Sequence, residues 1–301
     1  MTADSNGSAS TPTTAAKTPA EVVKEGADVN LGEIEALLNS NSDQVGEQFV
    51  SIIRTTEIGR CTVSLFATFG SEPDVSLKLA GTGTLVVFGD EHYILTAEHV
   101  WEKILKFAVG VGIPLREVDD HRFFMNISTI VPFGPRNDGG WSEWGPDLVL
   151  LRIPPFHVGA IRAFKDFYNL SAPTAPRSNT SRVETEILMG TPHVAGDFTN
   201  THASVEIMGF PGPIVQQHTK NGFDYLDVKA SLGSKGLPNE FGGVSGGGLW
   251  TAMFYENGES NQIDVEVRLE GVAFYQLEDA QDGRIIRCHG PESIKGAVPK
   301  P

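Results

Sequence analysis

The chain has 301 residues, enough for one large domain or two small ones with a core that needs no disulfide or metal staple. Lys and Arg total 23 against 38 Asp and Glu, a net charge of −15, which argues against general nucleic-acid binding and against an anionic membrane surface. Glycine is in excess, 33 residues without a collagen period, which points to many tight turns or to a backbone that must come close to something.

Residues 1–29 are rich in Ser, Thr, Ala and Pro and read as a disordered tail. No basic start leads into an apolar core, so no secretory signal is read, and there is no apolar run long enough for a membrane span. The expectation is a cytoplasmic protein without membrane or nucleic-acid partners. Residues 30–58 carry helical spacing at Ile34, Leu37 and Leu38 and again at Phe49, Ile52 and Ile53. The polar run 39–43 divides them, which predicts two short helices packed on a main domain of residues 59–301. No internal repeat is visible.

From Cys61 the character becomes β. The segment CTVSLFATF is rich in β-branched and aromatic residues, and apolar runs at 84–88 and 93–95 flank Gly89-Asp90 as a hairpin. A short helix is expected over 98–106, strands over 123–131 and 148–153, a second short helix over 161–170, and a loop over 171–200. Strands resume at 205–208, 225–230, 248–254, 265–274 and 284–288. Many short strands at modest spacing predict an all-β sandwich or barrel pair. Cys61 and Cys288 belong to no CxxC pair or Cys/His cluster, so no structural metal and no disulfide framework is read.

Three features carry chemistry. His99 follows an apolar strand in YILTAEHV, at a strand-to-helix corner that can present a side chain to a cleft. Asp147 stands directly before the apolar run LVLLRI. Ser245 lies in FGGVSGGGLW, amid five glycines. Each has a plain structural reading alone: a packed histidine, a turn or capping aspartate, a flexible loop. The loop lacks the GK[ST] and following helix of a phosphate-binding loop. Glycines beside a serine instead let backbone N–H groups converge, as an oxyanion site requires.

The order His, Asp, Ser, on GTGTLV…ILTAEHV, DLVLLRI, GVSGGGLW and the late GVAFYQ, resembles chymotrypsin-like (trypsin-like) serine proteases, in particular their intracellular and bacterial branch. The resemblance spans about residues 60–290. It implies two six-stranded antiparallel β-barrels behind short N-terminal helices, and a serine endopeptidase acting on polypeptide without a cofactor or metal. Ser245 would be the nucleophile, His99 the general base and Asp147 its orienting partner. Gly243 and Ser245 would supply the oxyanion N–H groups. The substrate pocket would be formed by Asn239 at its floor and Phe274, Tyr275 and Gln276 at its wall. Val244 replaces the aspartate that secreted members use in zymogen activation, and Glu98 replaces a common alanine. The bulk of Phe274 and Gln276 motivates an alternative, an inactive protease-fold binding or sensing module; an esterase using the same triad is a third reading. Oligomeric state is not legible.

Overall fold

The fold is taken from a computed structural model, which describes residues 31–32, 34–35, 53, 56–70, 76–115, 122–135, 142–172, 182–193, 196–198, 203–230, 241–257, 262–277 and 284–299. The tail 1–29 and the segment 36–52 lie outside them. Leu31, Gly32, Ile34, Glu35 and Ile53 have helical backbone, and a short helix α1 spans Glu57–Cys61. The first half then runs β1 (Thr62–Phe69), β2 (Ser76–Phe88), β3 (Glu91–Thr96), α2 (Glu98–Phe107), β4 (Gly110–Pro114), β5 (Arg122–Asn126), β6 (Val131–Phe133), β7 (Val149–Arg152), α3 (Pro155–Arg162) and β8 (Tyr168–Asn169). The second half runs β9 (Arg182–Gly190), β10 (Gly196–Phe198), β11 (Ala203–Val205), β12 (Met208–Pro211), β13 (Ile214–Lys220), β14 (Phe223–Ala230), β15 (Gly248–Asn257), β16 (Gln262–Leu277), β17 (Arg284–His289) and α4 (Pro291–Ala297). Among the described residues no helix is long and apolar enough to cross a membrane.

Two sheets make the body of the molecule, and each returns on itself. The first has the order β5-β4-β1-β2-β3-β7-β6. Its two ends, β5 and β6, are one stretch of chain bent by the 3-10 turn Ile127–Thr129, so the path closes with six members. The second has the order β12-β9-β15-β16-β17-β14-β13, and its ends are separated by Gly212 and Pro213 alone. At that bend the Gly212 N–H donates to Glu186 O on β9 while Pro213 O accepts from Lys229 N–H on β14. Counting each bent pair as one strand, both halves follow one cyclic order: first, second, third, sixth, fifth, fourth. A structural repeat therefore exists where the sequence shows none. The expected all-β pair of antiparallel barrels is the observed architecture, with two additions: the parallel two-residue pairing of β8 on β2 and the small β10–β11 hairpin.

Burial explains why the strands read as near-continuous apolar runs. Along β3, Ile94 fills the first barrel, whereas Tyr93 and Leu95 face a core shared by both barrels. Along β7, Val149 and Leu151 point one way and Leu150 the other. In β9, Leu188 enters the second barrel while Ile187 and Met189 join the shared core, and β15 alternates likewise through Leu249 and Trp250. Period-2 alternation with both faces dry loses its polar half. Leu31, Ile34 and Ile53 of the N-terminal segment, with Ile294 of α4, belong to the shared core.

Three expectations need correction. The loop expected over 171–200 contains β9, a central strand of the second barrel; Ser, Pro and Asn before it and Glu184 and Glu186 within it masked its alternation. The helix expected over 161–170 lies earlier, as α3, where Pro155 at its first turn supplies a fixed φ. Strand β13 was not expected, because most of IVQQHTK is polar; it forms the long outer hairpin with β14.

Candidate active site

His99 sits in the first turn of α2. Val100, Trp101 and Ile104 are buried and anchor this helix to the first barrel, leaving His99 half-buried. The β3–α2 corner therefore holds the imidazole by packing of its neighbours, each such side chain worth about 1.5–3 kcal/mol of burial. Asp147 precedes β7, which pairs with β3. Its carboxylate receives two bonds from one residue: the His99 N–H donates to Oδ1 at 2.9 Å, and Nδ1 lies 2.6 Å from Oδ2. Backbone and ring are thus fixed by one group, which sets the tautomer with Nδ1 as donor and Nε2 directed away from the carboxylate. The side chains are only 15% and 5% exposed, so water competes little for this pair.

Ser245 lies in the turn between Phe241 and β15. Gly243 and Gly246 adopt φ +96° and +88°, a region side-chain-bearing residues avoid. A Cβ on Gly243 would lie 2.4 Å from Thr191 O, and one on Gly246 2.0 Å from Thr82 O, so both positions demand glycine twice over. Around the turn, Val244, Gly246 and Gly247 donate their N–H groups to Phe241, Ala273 and Val244. Among the described residues, no backbone acceptor engages the N–H of Gly243 or Ser245. Val244 is buried in the second barrel's core.

The serine turn comes from the second barrel, yet it is bonded to the first through Thr82. Thr82 N–H donates to Ser245 O at 2.9 Å, its hydroxyl donates to Gly243 O at 2.8 Å, and that hydroxyl accepts from Thr191 N–H at 2.9 Å. Its own carbonyl accepts from Thr96 Oγ1 at 2.7 Å, and Ser64 and Thr191 join hydroxyls at 2.6 Å. Next along β2, a Cβ on Gly81 would lie 2.6 Å from Val100 Cγ2 and 2.9 Å from Ser245 O. Gly81 therefore lies between the residue after His99 and the carbonyl of Ser245. That close approach sets the backbone of Ser245 beside the helix that carries His99.

A second seam holds Asp147. Its N–H donates to His289 Nε2 at 3.1 Å, and His289 is fully buried, stacked on Phe274 at 4.4 Å. Burial holds the His289 imidazole down to about 4, with Asp147 and Asp224 opposing only in part. It is neutral at ordinary pH, with Nε2 as acceptor. Nearby, Tyr225 Oη donates to Trp144 O at 2.6 Å, and Arg287, paired at both ends with Asp227, donates to Glu143 O. The Arg287 guanidinium covers the Trp144 ring at 3.8 Å.

Of the expected pocket, Tyr275 is exposed and Gln276 half-buried. Phe274 is the extra residue of a β-bulge between Ala273 and Tyr275, and its ring is buried against His289. Asn239 lies outside the described residues. Sequence reasoning did not single out Thr82, Thr191 or a role for His289; the Thr in GTGTLV and the Cys288-His289 pair were the only signals. Among the described residues no group of three or more His, Cys, Asp or Glu is placed to hold a metal. Cys61 and Cys288 are buried thiols, both pushed up by burial and so poor nucleophiles.

No family model and no curated protein matches the chain. Among solved structures it is similar to one from work on how aromatic interactions drive the coupled folding and binding of the intrinsically disordered Sesbania mosaic virus VPg protein, at 13% identity over 75% of this chain and 85% of that chain, with a TM-score of 0.36. A likeness that distant carries no argument about fold or function.

Proposed function

We propose that the chain is a serine endopeptidase of the chymotrypsin-like type. The observation that carries the reading is the pair of hydrogen bonds from His99 to the Asp147 carboxylate, beside a serine turn tied through Thr82 and Gly81 to strand β2 of the same sheet. Ser245 Oγ attacks the substrate carbonyl carbon and its proton passes to His99 Nε2. The negative charge then on the carbonyl oxygen is met by the N–H groups of Gly243 and Ser245, and by the low dielectric around them. Asp147 stabilises the imidazolium. When the C–N bond breaks, His99 returns the proton to the departing amine, leaving an acyl ester on Ser245. Water, deprotonated by His99, attacks that ester; the acid leaves and Ser245 regains its proton.

The alternative of an inactive binding module drew on the bulk of Phe274 and Gln276. The Phe274 ring packs into the core on His289, which removes that half of its motive, and Gln276 is half-buried. The test is labelling with a fluorophosphonate, which reacts only with an activated serine. Wild type is expected to label and Ser245→Ala not; equal labelling of the two, or none of wild type, overturns the proposal.

A further inference from the structure

The two flanks of the serine turn differ in charge. After Ser245 the turn is bonded to Ala273, at the start of the uncharged Phe274–Tyr275–Gln276 stretch. Before it lies His193, whose N–H donates to Gly242 O at 2.6 Å and whose ring carbon Cδ2 would lie 3.0 Å from a Cβ on Gly243. Lys78 lies three residues before Gly81 on β2, the strand that approaches Val100 and Ser245 O, and it acts electrostatically on His193, which places it on this flank. Lys103 stands four residues after His99 on α2, hence on the same helix face one turn along. Lys78 and Lys103 are exposed, and both act electrostatically on His193 and on one another. The carboxylate that acts on Lys103 is Asp147, which is already bonded to His99. In a chain of net charge −15, two lysines and a histidine thus gather beside one side of the nucleophile's turn.

The mechanism says which half of a substrate meets them. His99 must hand its proton to the departing amine, so that half lies against the His99 helix. We propose that Lys78, Lys103 and His193 form a subsite for an acidic side chain on the leaving-group half of the polypeptide substrate. This rests on the endopeptidase reading for its orientation. Two exposed cations add modest affinity, so the expected preference is about fivefold rather than absolute, and it weakens with salt.

Two measurements separate the subsite from the catalytic reading. In the first, wild type and the double variant Lys78→Gln/Lys103→Gln digest a mixed peptide pool, and the three residues after each cut are read. Asp and Glu are expected there at about five times their pool frequency with wild type. The enrichment should vanish in the double variant while cutting continues. In the second, full-length Ser245→Ala, alone and with both lysine substitutions, is titrated with a dansylated Glu-rich decapeptide and its Gln counterpart at low and high salt. The Glu peptide should bind tighter to Ser245→Ala at low salt only, and equally to its Gln counterpart in the triple variant. Failure of fluorophosphonate labelling and of all cutting, with this binding difference intact, would sink the peptidase reading and leave the anion subsite standing. No acidic preference in cutting or, where nothing is cut, in binding overturns the subsite, as does a preference that survives the lysine substitutions.

Discussion

The two seams between the barrels hold the site by different chemistry. At the serine seam, Ser64, Thr82, Thr96 and Thr191 are all buried; the hydroxyls of Thr82 and Thr96 bind backbone groups, and those of Ser64 and Thr191 bind each other. Hydroxyls do not titrate in the range where the fold exists, so this seam is indifferent to pH. At the aspartate seam, the loop Glu143–Asp147 is gripped by Arg287, Tyr225 and His289, and one of these is an imidazole kept neutral by burial. The lesson is a division of labour. The turn around Ser245 is held by neutral bonds, and the loop that ends at Asp147 is held by charged and titratable groups.

Several substitutions test that contrast. The largest effect is expected from Ser245→Ala, which should cut peptide turnover by about 10⁶ with no loss of stability, measured as kcat beside a urea titration. Next comes Gly243→Ala, which forces φ +96° on a residue with a side chain and drives its Cβ to 2.4 Å from Thr191 O. Loss of one oxyanion donor predicts a drop of about 10²–10³ in kcat, with KM changed much less. An unaltered kcat would mean that the Gly243 N–H takes no part.

Thr82→Val keeps the shape but removes the hydroxyl, stranding Gly243 O and Thr191 N–H in a buried place. A cost of about 3 kcal/mol is expected, the same at pH 7 and pH 5, read from urea midpoints. A strong pH dependence of that cost would break the contrast between the seams.

His289→Gln keeps an acceptor for the Asp147 N–H but removes the titration. The folded imidazole binds its proton only near pH 4, while the unfolded chain binds it near 6.5. Between those values the unfolded state holds more protons, so this group lowers stability as pH falls from about 6.5 to 4 and does nothing above. The loss approaches roughly 3 kcal/mol at the acid end. The variant should therefore show a flatter decline over that window than wild type; parallel curves would remove His289 from the account. At pH 7.5 its activity should fall no more than about fivefold, the worth of one neutral hydrogen bond.

Much of this was legible in the chain. YILTAEHV, GPDLVLLRI and FGGVSGGGLW named His99, Asp147 and Ser245 because a buried strand is a local pattern and a glycine run is a local signal. The hairpin around Gly89 was legible for the same reason, and Gly89 indeed has φ +58°. Strand β9 was not, since Glu184 and Glu186 within it imitate a polar loop. The role of Thr82 was not, because its hydroxyl partner Gly243 is 161 residues away. His289 reaches Asp147 across 142 residues.

By itself, then, the sequence determined the all-β character, the order of three chemically apt residues and the place where the backbone must come close to another group. Those depend on neighbours within one strand or turn, where side-chain periodicity and backbone freedom act directly. Only the tertiary structure decided that each sheet closes through a bent strand, that Phe274 turns inward at a bulge, and that hydroxyls on one seam and an imidazole on the other hold the site. Those depend on contacts between segments far apart in the chain. A hydroxyl or an imidazole in sequence does not say which distant backbone group it will meet.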